Sequence, residues 1–294
     1  MQPQSLYLGA LYIVAAELMF ACMGASIRFV SEDLNNPMVV FARNLLGMLF
    51  VLPWLLRGGM KSLRTQVPHL HLLRGLAGVS AMYCFFYAIA NMPLANAMLL
   101  KLSAPLFIPL VALFWLQERF TWHVVAALIV GFSGVAVILT PDLSEANVVS
   151  LIALTGGAFA AVAKVTVRRL SRSEPGLLIV FYFASSGLVI SLLPLIWYWV
   201  TPTVSQVTWL ILLAGFATAG QLALTRGMAS APAARLGPFA FFSVIFGAAL
   251  GWFLWDEAIT LATSLGALLI LASAFLSGRG RDSAASSRTA TVNA

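Results

Sequence analysis

The sequence is divided into long apolar blocks separated by short polar connectors, and the length of the blocks constrains the fold most. Each block runs for roughly 20 residues, the length that an α-helix needs to cross about 30 Å of hydrocarbon at 1.5 Å per residue. Of 294 residues, 61% are hydrophobic and 9% are charged, whereas a typical soluble domain carries about 25% charged residues. We therefore predict an all-α integral membrane protein.

Ten such blocks follow one another along the chain. They cover residues 7–30, 38–56, 70–90, 95–116, 122–140, 148–170, 176–200, 206–227, 233–255 and 260–277. The first block has no basic region before it, so we interpret it as a permanent helix and not as a cleaved signal. The tail at 279–294 is polar and rich in small residues, which predicts a disordered segment.

Acidic and basic residues alternate between successive connectors. The connectors expected on one side hold Arg57, Lys61, Arg64, Arg119, Arg172, Arg279 and Arg281, and Arg74 follows just beyond one of them. The connectors expected on the other side hold Glu32, Asp33, Asp142, Glu145, Asp256 and Glu257. Because Lys and Arg collect on the cytoplasmic side of a membrane protein, we predict a multi-pass protein of the inner membrane with both termini in the cytoplasm.

The two halves of the chain resemble each other. Met92-Pro93-Leu94-Ala95 corresponds to Ala231-Pro232-Ala233-Ala234, and Glu118 corresponds to Glu257, in both cases at a separation of 139 residues. This predicts one five-helix repeat at 1–140 and a second at 141–278. Five is an odd number, so the second copy enters the membrane from the opposite face, and such inverted repeats are typical of secondary transporters.

Several other functions lack their sequence signatures. The chain contains no GxxxxGK[ST] phosphate loop, HExxH, CxxC or GxSxG motif, so we expect no cofactor, no metal ion and no enzymatic activity. The net charge of +7 comes from residues in short connectors, which does not favour nucleic-acid binding. We expect the partners to be a small-molecule substrate and the bilayer. We also expect a monomer, although small residues four apart, such as Gly247 and Gly251, would equally allow a homodimer.

A stretch in the first half carries a family resemblance. Tyr87 to Ala97 (YAIANMPLANA), Ala104-Pro105-Leu106-Phe107 and Glu118 followed by Gly131 and Gly134 resemble the EamA-type members of the drug/metabolite transporter superfamily. The resemblance implies ten helices around a cavity formed by the third, fourth, eighth and ninth helices, among others. Within the family the chain is similar to bacterial amino-acid exporters, including those for aromatic amino acids, and to S-adenosylmethionine carriers.

Ionisable side chains inside apolar blocks are candidates for function, because each costs about 2.5–3.5 kcal/mol to insert. They are Glu17, Arg28, Arg43, Lys101 and Lys164. Glu17, near the middle of its block, either takes a proton or a substrate ammonium group, or serves as the buried partner of a base. Lys101 and Arg43 either attract a substrate carboxylate near the external mouth or snorkel. We expect Arg28 to snorkel and Lys164 to extend the cytoplasmic basic rim.

Polar stripes at helical spacing predict the cavity walls, because faces that meet lipid are apolar. The predicted wall residues are Ser80, Tyr83 and Tyr87 on the third helix, Thr218, Gln221 and Thr225 on the eighth, and Phe239 and Ser243 on the ninth. Hydrogen bonding between helices is the alternative role of these stripes. Pro105 and Pro109 interrupt the fourth helix and are candidate gating hinges or static kinks.

Together these patterns predict a secondary transporter that moves amino acids, aromatic or neutral with a broad range, by alternating access. Export is favoured over uptake on the resemblance alone. A carrier of S-adenosylmethionine or another nucleoside-bearing metabolite is the alternative within transporters. A membrane-embedded enzyme is the alternative from another class, but it would need titratable groups gathered at one depth.

Overall fold

The computed structural model describes residues 6–57, 64–104, 106–107, 110–111, 122–138, 145–170, 173–230, 239–240, 242–273 and 276. Within these residues the regular structure is helical and contains no strand. The ten helices are α1 (Leu6–Ser31), α2 (Asn36–Leu56), α3 (Pro68–Asn91), α4 (Leu94–Lys101), α5 (Trp122–Ile138), α6 (Glu145–Leu170), α7 (Gly176–Tyr198), α8 (Val204–Ser230), α9 (Phe242–Trp255) and α10 (Leu261–Ser273).

Six of these helices, α1, α2, α3, α6, α7 and α8, are long and apolar enough to cross a membrane. This agrees with the prediction of an all-α membrane protein. The apolar helices α9 and α10 and the apolar part of α5 are shorter, with 10–17 residues each, and α4 ends at Lys101. The predicted tail at 279–294 and the second-half residues Pro232 and Pro238 lie outside the described residues.

Proline sets the boundary between α3 and α4. Met92 precedes Pro93 and adopts an extended backbone with φ −148° and ψ 165°, because a following proline disfavours the helical conformation. The fourth apolar block, at 95–116, is itself interrupted at a turn formed by Leu102 and Ser103. Pro105 and Pro109, the predicted hinges, lie outside the described residues, so a hinge at these positions stays a prediction.

The helices pack in pairs that follow a simple rule. Between the first five helices and the last five, the most extensive contacts join α1 to α8, α3 to α6 and α2 to α7, and further contacts join α1 to α9, α2 to α8, α3 to α7, α4 to α9 and α4 to α6. If each of α1–α5 is exchanged with the helix five places later, so that α1 changes places with α6 and so on, the same set of pairs results. Helices α5 and α10 also meet, because a Cβ at Gly134 would lie 2.8 Å from Leu269 Cβ.

Hydrogen bonds between turns define the two ends of the bundle. At one end, Asn35 Nδ2 donates to Tyr198 O over 2.7 Å and Gln206 Nε2 donates to Asp33 Oδ2 over 3.0 Å. We call it the acidic end, because its turns carry Glu32, Asp33, Asp256 and Glu257.

At the other end, Thr65 Oγ1 donates to Glu174 Oε1 over 2.7 Å and joins the α2–α3 and α6–α7 connectors. We call it the basic end, because Arg57, Arg64 and Arg169 lie there. Arg74, just beyond the α2–α3 connector in the sequence, lies inside α3, about 9 Å along the helix from Pro68 at 1.5 Å per residue.

Candidate functional site

An ion pair lies in the middle of the bundle. Lys101 Nζ lies 3.2 Å from Glu17 Oε2, and the two side chains are 26% and 7% exposed. Glu17 belongs to the middle of α1, whereas Lys101 is the last residue of α4, where a cation complements the helix dipole. Of the roles left open for Glu17, the structure therefore shows the carboxylate as the partner of a base.

Aromatic rings surround the ammonium group of this pair. Lys101 Nζ lies 4.6 Å from the ring centroid of Phe20 and 5.9 Å from that of Phe85. A cation over an aromatic face gains about 0.5–2 kcal/mol, more where water is excluded. The rings on α1 and α3 thus hold the Lys101 ammonium beside Glu17 without neutralising it.

Lys164 on α6 has an exposed side chain and lies three residues before Val167, where the apolar span of this helix ends. Two turns earlier, a Cβ at Gly157 would lie 3.5 Å from Ala104 N, so α6 closely approaches the turn after α4. Extension of the cytoplasmic basic rim by Lys164 stays a prediction.

Two arginines form a separate buried cluster around Phe183. The guanidinium carbon of Arg74 lies 4.0 Å from the Phe183 ring centroid, and that of Arg43 lies 5.3 Å from it. Arg43 Nη1 donates to Asn44 Oδ1 over 3.0 Å, whereas the buried Nε and Nη1 atoms of Arg74 have no hydrogen-bond partner. Arg43, expected near the external mouth, is thus buried in the interior and does not snorkel.

A third cluster closes the acidic end. Arg28 Nη1 forms a short ion pair with Glu257 Oε1 and also donates to Met92 O over 3.4 Å. The Arg28 guanidinium carbon lies 4.7 Å from the Trp255 ring centroid, and Phe29 stacks on Trp209 at 4.6 Å. Arg28 therefore does not snorkel as expected. We call Arg28, Glu257 and the Leu94 N–H group the latch.

The turn after α9 explains how Glu257 reaches its partners. Asp256 adopts a left-handed conformation with φ 53°, which Asp tolerates better than most residues. The Asp256 N–H donates to Trp252 O over 3.1 Å, the 5→1 bond of an αL helix cap, and the Glu257 N–H donates to Gly251 O over 3.2 Å. The Glu257 carboxylate then accepts a 2.9 Å hydrogen bond from Leu94 N and caps α4. Gly251 leaves the space for this carboxylate, because a Cβ there would overlap Glu257 Oε2.

Beneath the latch there is room for little more than one water molecule. A cavity of about 20 Å³ is lined by Pro93, Asn96, Glu257 and Thr263, among others, and about 10–15 Å³ is needed for one water. Thr263 Oγ1 donates to Asn96 Oδ1 over 2.8 Å on its wall. Ala95 and Thr263, which line this cavity, also line a larger and more open apolar space of about 420 Å³.

The predicted wall residues on α3 and α8 are only partly enclosed. Ser80, Tyr83, Thr218 and Gln221 are half-buried, and Tyr87 is exposed. Tyr83 Oη is buried without a hydrogen-bond partner, whereas Thr218 Oγ1 donates to Ala214 O of its own helix over 2.8 Å. Helices α3 and α8 make few direct contacts with each other, so these stripes do not form one continuous helix–helix interface.

The remaining predicted wall residues differ from one another. Ser243 is fully buried and donates to Ala240 O over 2.8 Å, and Phe239 packs against Ile13 and Leu224. The side chain of Thr225 lies outside the described residues. The structure thus brings Glu17 and Lys101 into contact and leaves a cavity role for the stripe residues as a prediction.

Sequence reasoning missed two of these contacts. Arg28 and Glu257 were placed toward the same side of the membrane, so their common depth was a signal for the latch. The pairing of Arg74 with Phe183 and Arg43 had no such signal, because it depends on how α2, α3 and α7 rotate about their axes. Within the described residues, no group of three or more His, Cys, Asp or Glu side chains is placed to hold a metal ion.

Comparisons with known proteins agree with this architecture. The EamA-like transporter family matches residues 7–140 and again residues 148–279. The pseudopaline exporter CntI of Pseudomonas aeruginosa is 32% identical over 266 residues, covering 90% of this chain and 93% of the relative. The S-adenosylmethionine uptake transporter of Rickettsia bellii is 25% identical over 244 residues, covering 83% and 84% of the two chains.

A solved crystal structure shares the fold. It superposes with a TM-score of 0.62 at 21% sequence identity and covers 94% of this chain and 97% of the other. At this identity the likeness describes the fold alone. The family resemblance carried by residues 87–97, 104–107 and 118 is confirmed by the family match over both halves.

Proposed function

Because the chain belongs to the EamA-like transporter family, we propose that it is a secondary transporter that carries amino acids or closely related small metabolites by alternating access. The observation that supports this most is the Glu17–Lys101 ion pair, 3.2 Å long and mid-bundle. A zwitterionic solute presents one ammonium and one carboxylate group. It can therefore exchange ion-pair partners with Glu17 and Lys101, so that neither charge is left unpaired in a region of low dielectric.

The depths of the two ion pairs support an alternating-access cycle. Arg28 lies about 16 Å along α1 from Glu17, at 1.5 Å per residue. With the acidic end outside, as the distribution of Lys and Arg favours, the latch closes the external entrance above the site. A substrate entering from the cytoplasm would reach Glu17 and Lys101 while the latch is shut. Opening of the latch would then release it outside.

We infer two five-helix repeats of opposite orientation, 1–140 and 141–278, with all ten helices crossing the membrane. Two observations support this: the packing pairs between the two halves are unchanged when the halves are exchanged, and the family matches the chain twice. Both termini would then be cytoplasmic, in the bacterial inner membrane. Inverted halves give inward-open and outward-open states of comparable energy, because each half adopts the conformation of the other.

Export is the direction that we propose. The pseudopaline exporter shares 32% identity with this chain, whereas the uptake transporter for S-adenosylmethionine shares 25%. S-adenosylmethionine is the second candidate substrate, since it too carries an amino-acid group that fits the Glu17–Lys101 pair.

Reconstitution of the purified chain in liposomes tests the proposal. Labelled aromatic, neutral and acidic amino acids and S-adenosylmethionine are offered under a proton gradient, a membrane potential or an opposing solute gradient. We expect at least one amino acid to move, and Glu17→Gln to abolish its transport while Glu32→Gln, an exposed acid at the α1–α2 turn, does not. Empty liposomes give the background rate. Failure of every probe under every gradient would contradict the proposal.

A further inference from the structure

We infer that Arg43 and Arg74 form an interior oxyanion-binding site, which takes a carboxylate or phosphate group between α2, α3 and α7. The inference goes beyond the proposed function and does not depend on the Glu17–Lys101 pair. It starts from the surroundings of Phe183, since both guanidinium carbons lie within 5.3 Å of the centroid of this one ring. Within the described residues, no carboxylate pairs with either arginine.

Arg74 points away from the basic end, which is the opposite of snorkelling. Side chains on an α-helix lean toward its N-terminus, and the N-terminus of α3 lies at the basic end. Arg74 Nη1 instead lies over Gly78, one turn deeper in the bundle, where an added Cβ would overlap it. The same Cβ would lie 2.7 Å from Phe183 Cε2. Gly78 therefore leaves the space in which the guanidinium group lies against the ring.

The donors of Arg74 lack acceptors. Its Nε and Nη1 atoms are buried and have no hydrogen-bond partner in the part of the chain that the structure describes. Glu174, in the α6–α7 connector at this end, instead accepts from Thr65 Oγ1 and Gln66 N. Buried polar groups in native proteins nearly always have a partner. An acceptor that arrives with a ligand accounts for these two donors.

Arg43 is held in place by a neutral group. Its side chain is 8% exposed, and its Nη1 donates to Asn44 Oδ1 over 3.0 Å. Asn44 Nδ2 in turn donates to Val40 O over 3.0 Å, which orients the amide. Because Asn44 carries no charge, it positions Arg43 without compensating the guanidinium. Two like charges in an interior of low dielectric repel each other, and an anion beside them offsets this repulsion.

The chemistry of the cluster favours an oxyanion over other ligands. The planar donors of a guanidinium group match carboxylates and phosphates, whereas a cation would meet two like charges and an apolar group would leave the donors unpaired. His71 lies one turn before Arg74 on the same face of α3, with its ring 4.3 Å from that of Tyr182. Both His71 ring nitrogens are buried without a partner, so His71 offers a further donor on this face.

Thermal unfolding of the purified full-length chain in a neutral detergent tests this inference. Acetate and inorganic phosphate are the soluble probes, and chloride replaces them at constant ionic strength. Phosphatidylglycerol, compared with phosphatidylcholine, tests a lipid headgroup as the source of the oxyanion. We expect acetate or phosphate to raise the Tm by about 3 °C at ten times its apparent Kd, with a saturating dependence on concentration. General stabilisation by excluded phosphate does not saturate in this way.

Substitutions assign the shift to the cluster. Arg74→Gln and Arg43→Gln should each weaken the apparent anion affinity about tenfold or more, because each removes hydrogen bonds from a charged donor. Arg74→Lys keeps the charge but loses the planar donors and should keep part of the shift. Arg64→Gln removes an exposed arginine at the basic end and should leave the shift unchanged. Each protein is compared with itself in chloride, so its own stability does not enter.

Equal anion shifts in the wild-type, Arg74→Gln and Arg43→Gln proteins would overturn the inference. So would the absence of protection by acetate, phosphate and phosphatidylglycerol beyond that of their controls. Protection by phosphatidylglycerol alone, lost in Arg74→Gln, would support the site and identify its oxyanion as a lipid headgroup. If the Arg74→Gln protein does not fold, Arg43→Gln decides between these results.

The assay does not read transport, so it separates this inference from the proposed function. A protein that binds anions at the cluster but moves no amino acid in liposomes contradicts the proposed function alone. A protein that transports amino acids without any anion shift contradicts the oxyanion site alone.

Discussion

Glu17 and Lys101 illustrate how strongly an interior charge depends on its partner. The Glu17 side chain is 7% exposed, so its carboxylate receives little stabilisation from solvent. Removing one member of a buried ion pair leaves the other charged in a region of low dielectric, which costs about 3–5 kcal/mol. Removing both members together avoids this penalty.

We therefore expect Glu17→Gln and Lys101→Met each to lower the free energy of unfolding by about 3 kcal/mol. The double variant should recover about 1.5 kcal/mol or more relative to the sum of the two single changes. Thermal unfolding in detergent measures all four proteins under the same conditions, and Glu32→Gln serves as an exposed acidic control. Additive effects of the two changes would contradict a direct interaction.

Arg74 should have the opposite effect on stability. Its Nε and Nη1 atoms are buried without hydrogen-bond partners, and Arg43 lies across the same phenylalanine ring. The loss of one cation–π contact costs about 0.5–2 kcal/mol, but the cost of burying unpaired donors beside a like charge is larger. Arg74→Met should thus raise the free energy of unfolding by about 1 kcal/mol.

The same thermal unfolding assay checks this expectation. Arg64→Met changes an exposed arginine at the basic end and should leave the unfolding midpoint unchanged. A destabilised Arg74→Met protein would mean that Arg74 has a stabilising partner in place.

At the scale of elements, the latch joins three helices through one carboxylate. Glu257 pairs with Arg28 of α1, caps the N-terminus of α4 through the 2.9 Å bond from Leu94 N, and follows α9. A carboxylate at a helix N-terminus is favoured by the helix dipole as well as by the hydrogen bond. Loss of its charge therefore weakens two contacts at the same moment.

In the Glu257→Gln protein we expect the latch at the acidic end to be open for a larger fraction of the time. In a Cys22→Ala/Cys84→Ala background, the buried Ala95 beside the small cavity is replaced by cysteine and labelled with a membrane-impermeant maleimide. We expect labelling about tenfold faster with Glu257→Gln, since loss of about 1.4 kcal/mol changes an equilibrium tenfold.

Asp256→Asn is the matched control for this experiment. It removes the neighbouring carboxylate, and Asn tolerates the left-handed backbone of this position as well as Asp does. Equal labelling rates in the Asp256→Asn and Glu257→Gln proteins would show that general charge, and not the latch, determines access to residue 95.

The elements differ in how far the sequence predicts them. The blocks that became α1, α3 and α6 contain no proline, and their predicted bounds agree with the helices within three residues at each end. The block at 95–116 did not predict the break at Leu102 and Ser103. Its apolar composition continues through the break, and only Pro105 signals that the helix is interrupted.

For the whole molecule, the symmetry was readable from the sequence but the interior charge was not. Pro93 with Pro232 and Glu118 with Glu257 gave the repeat. The helix pairs α1–α8 and α3–α6, which are equivalent under exchange of the halves, agree with it. Lys164 corresponds to Gly24 at the shift of 140 residues, so the repeat predicted no matching base in the first half.

The orientation of the chain decides what the latch closes. If the acidic end faces outside, a single cysteine at Thr201 reacts with an impermeant maleimide in intact cells, and one at Gln66 reacts only after permeabilisation. Both positions are exposed, and they belong to opposite ends of the bundle. The cysteine-free protein gives the background. The reverse pattern would place the latch at the cytoplasmic entrance, and the structure would then represent an outward-facing state, which favours uptake over export.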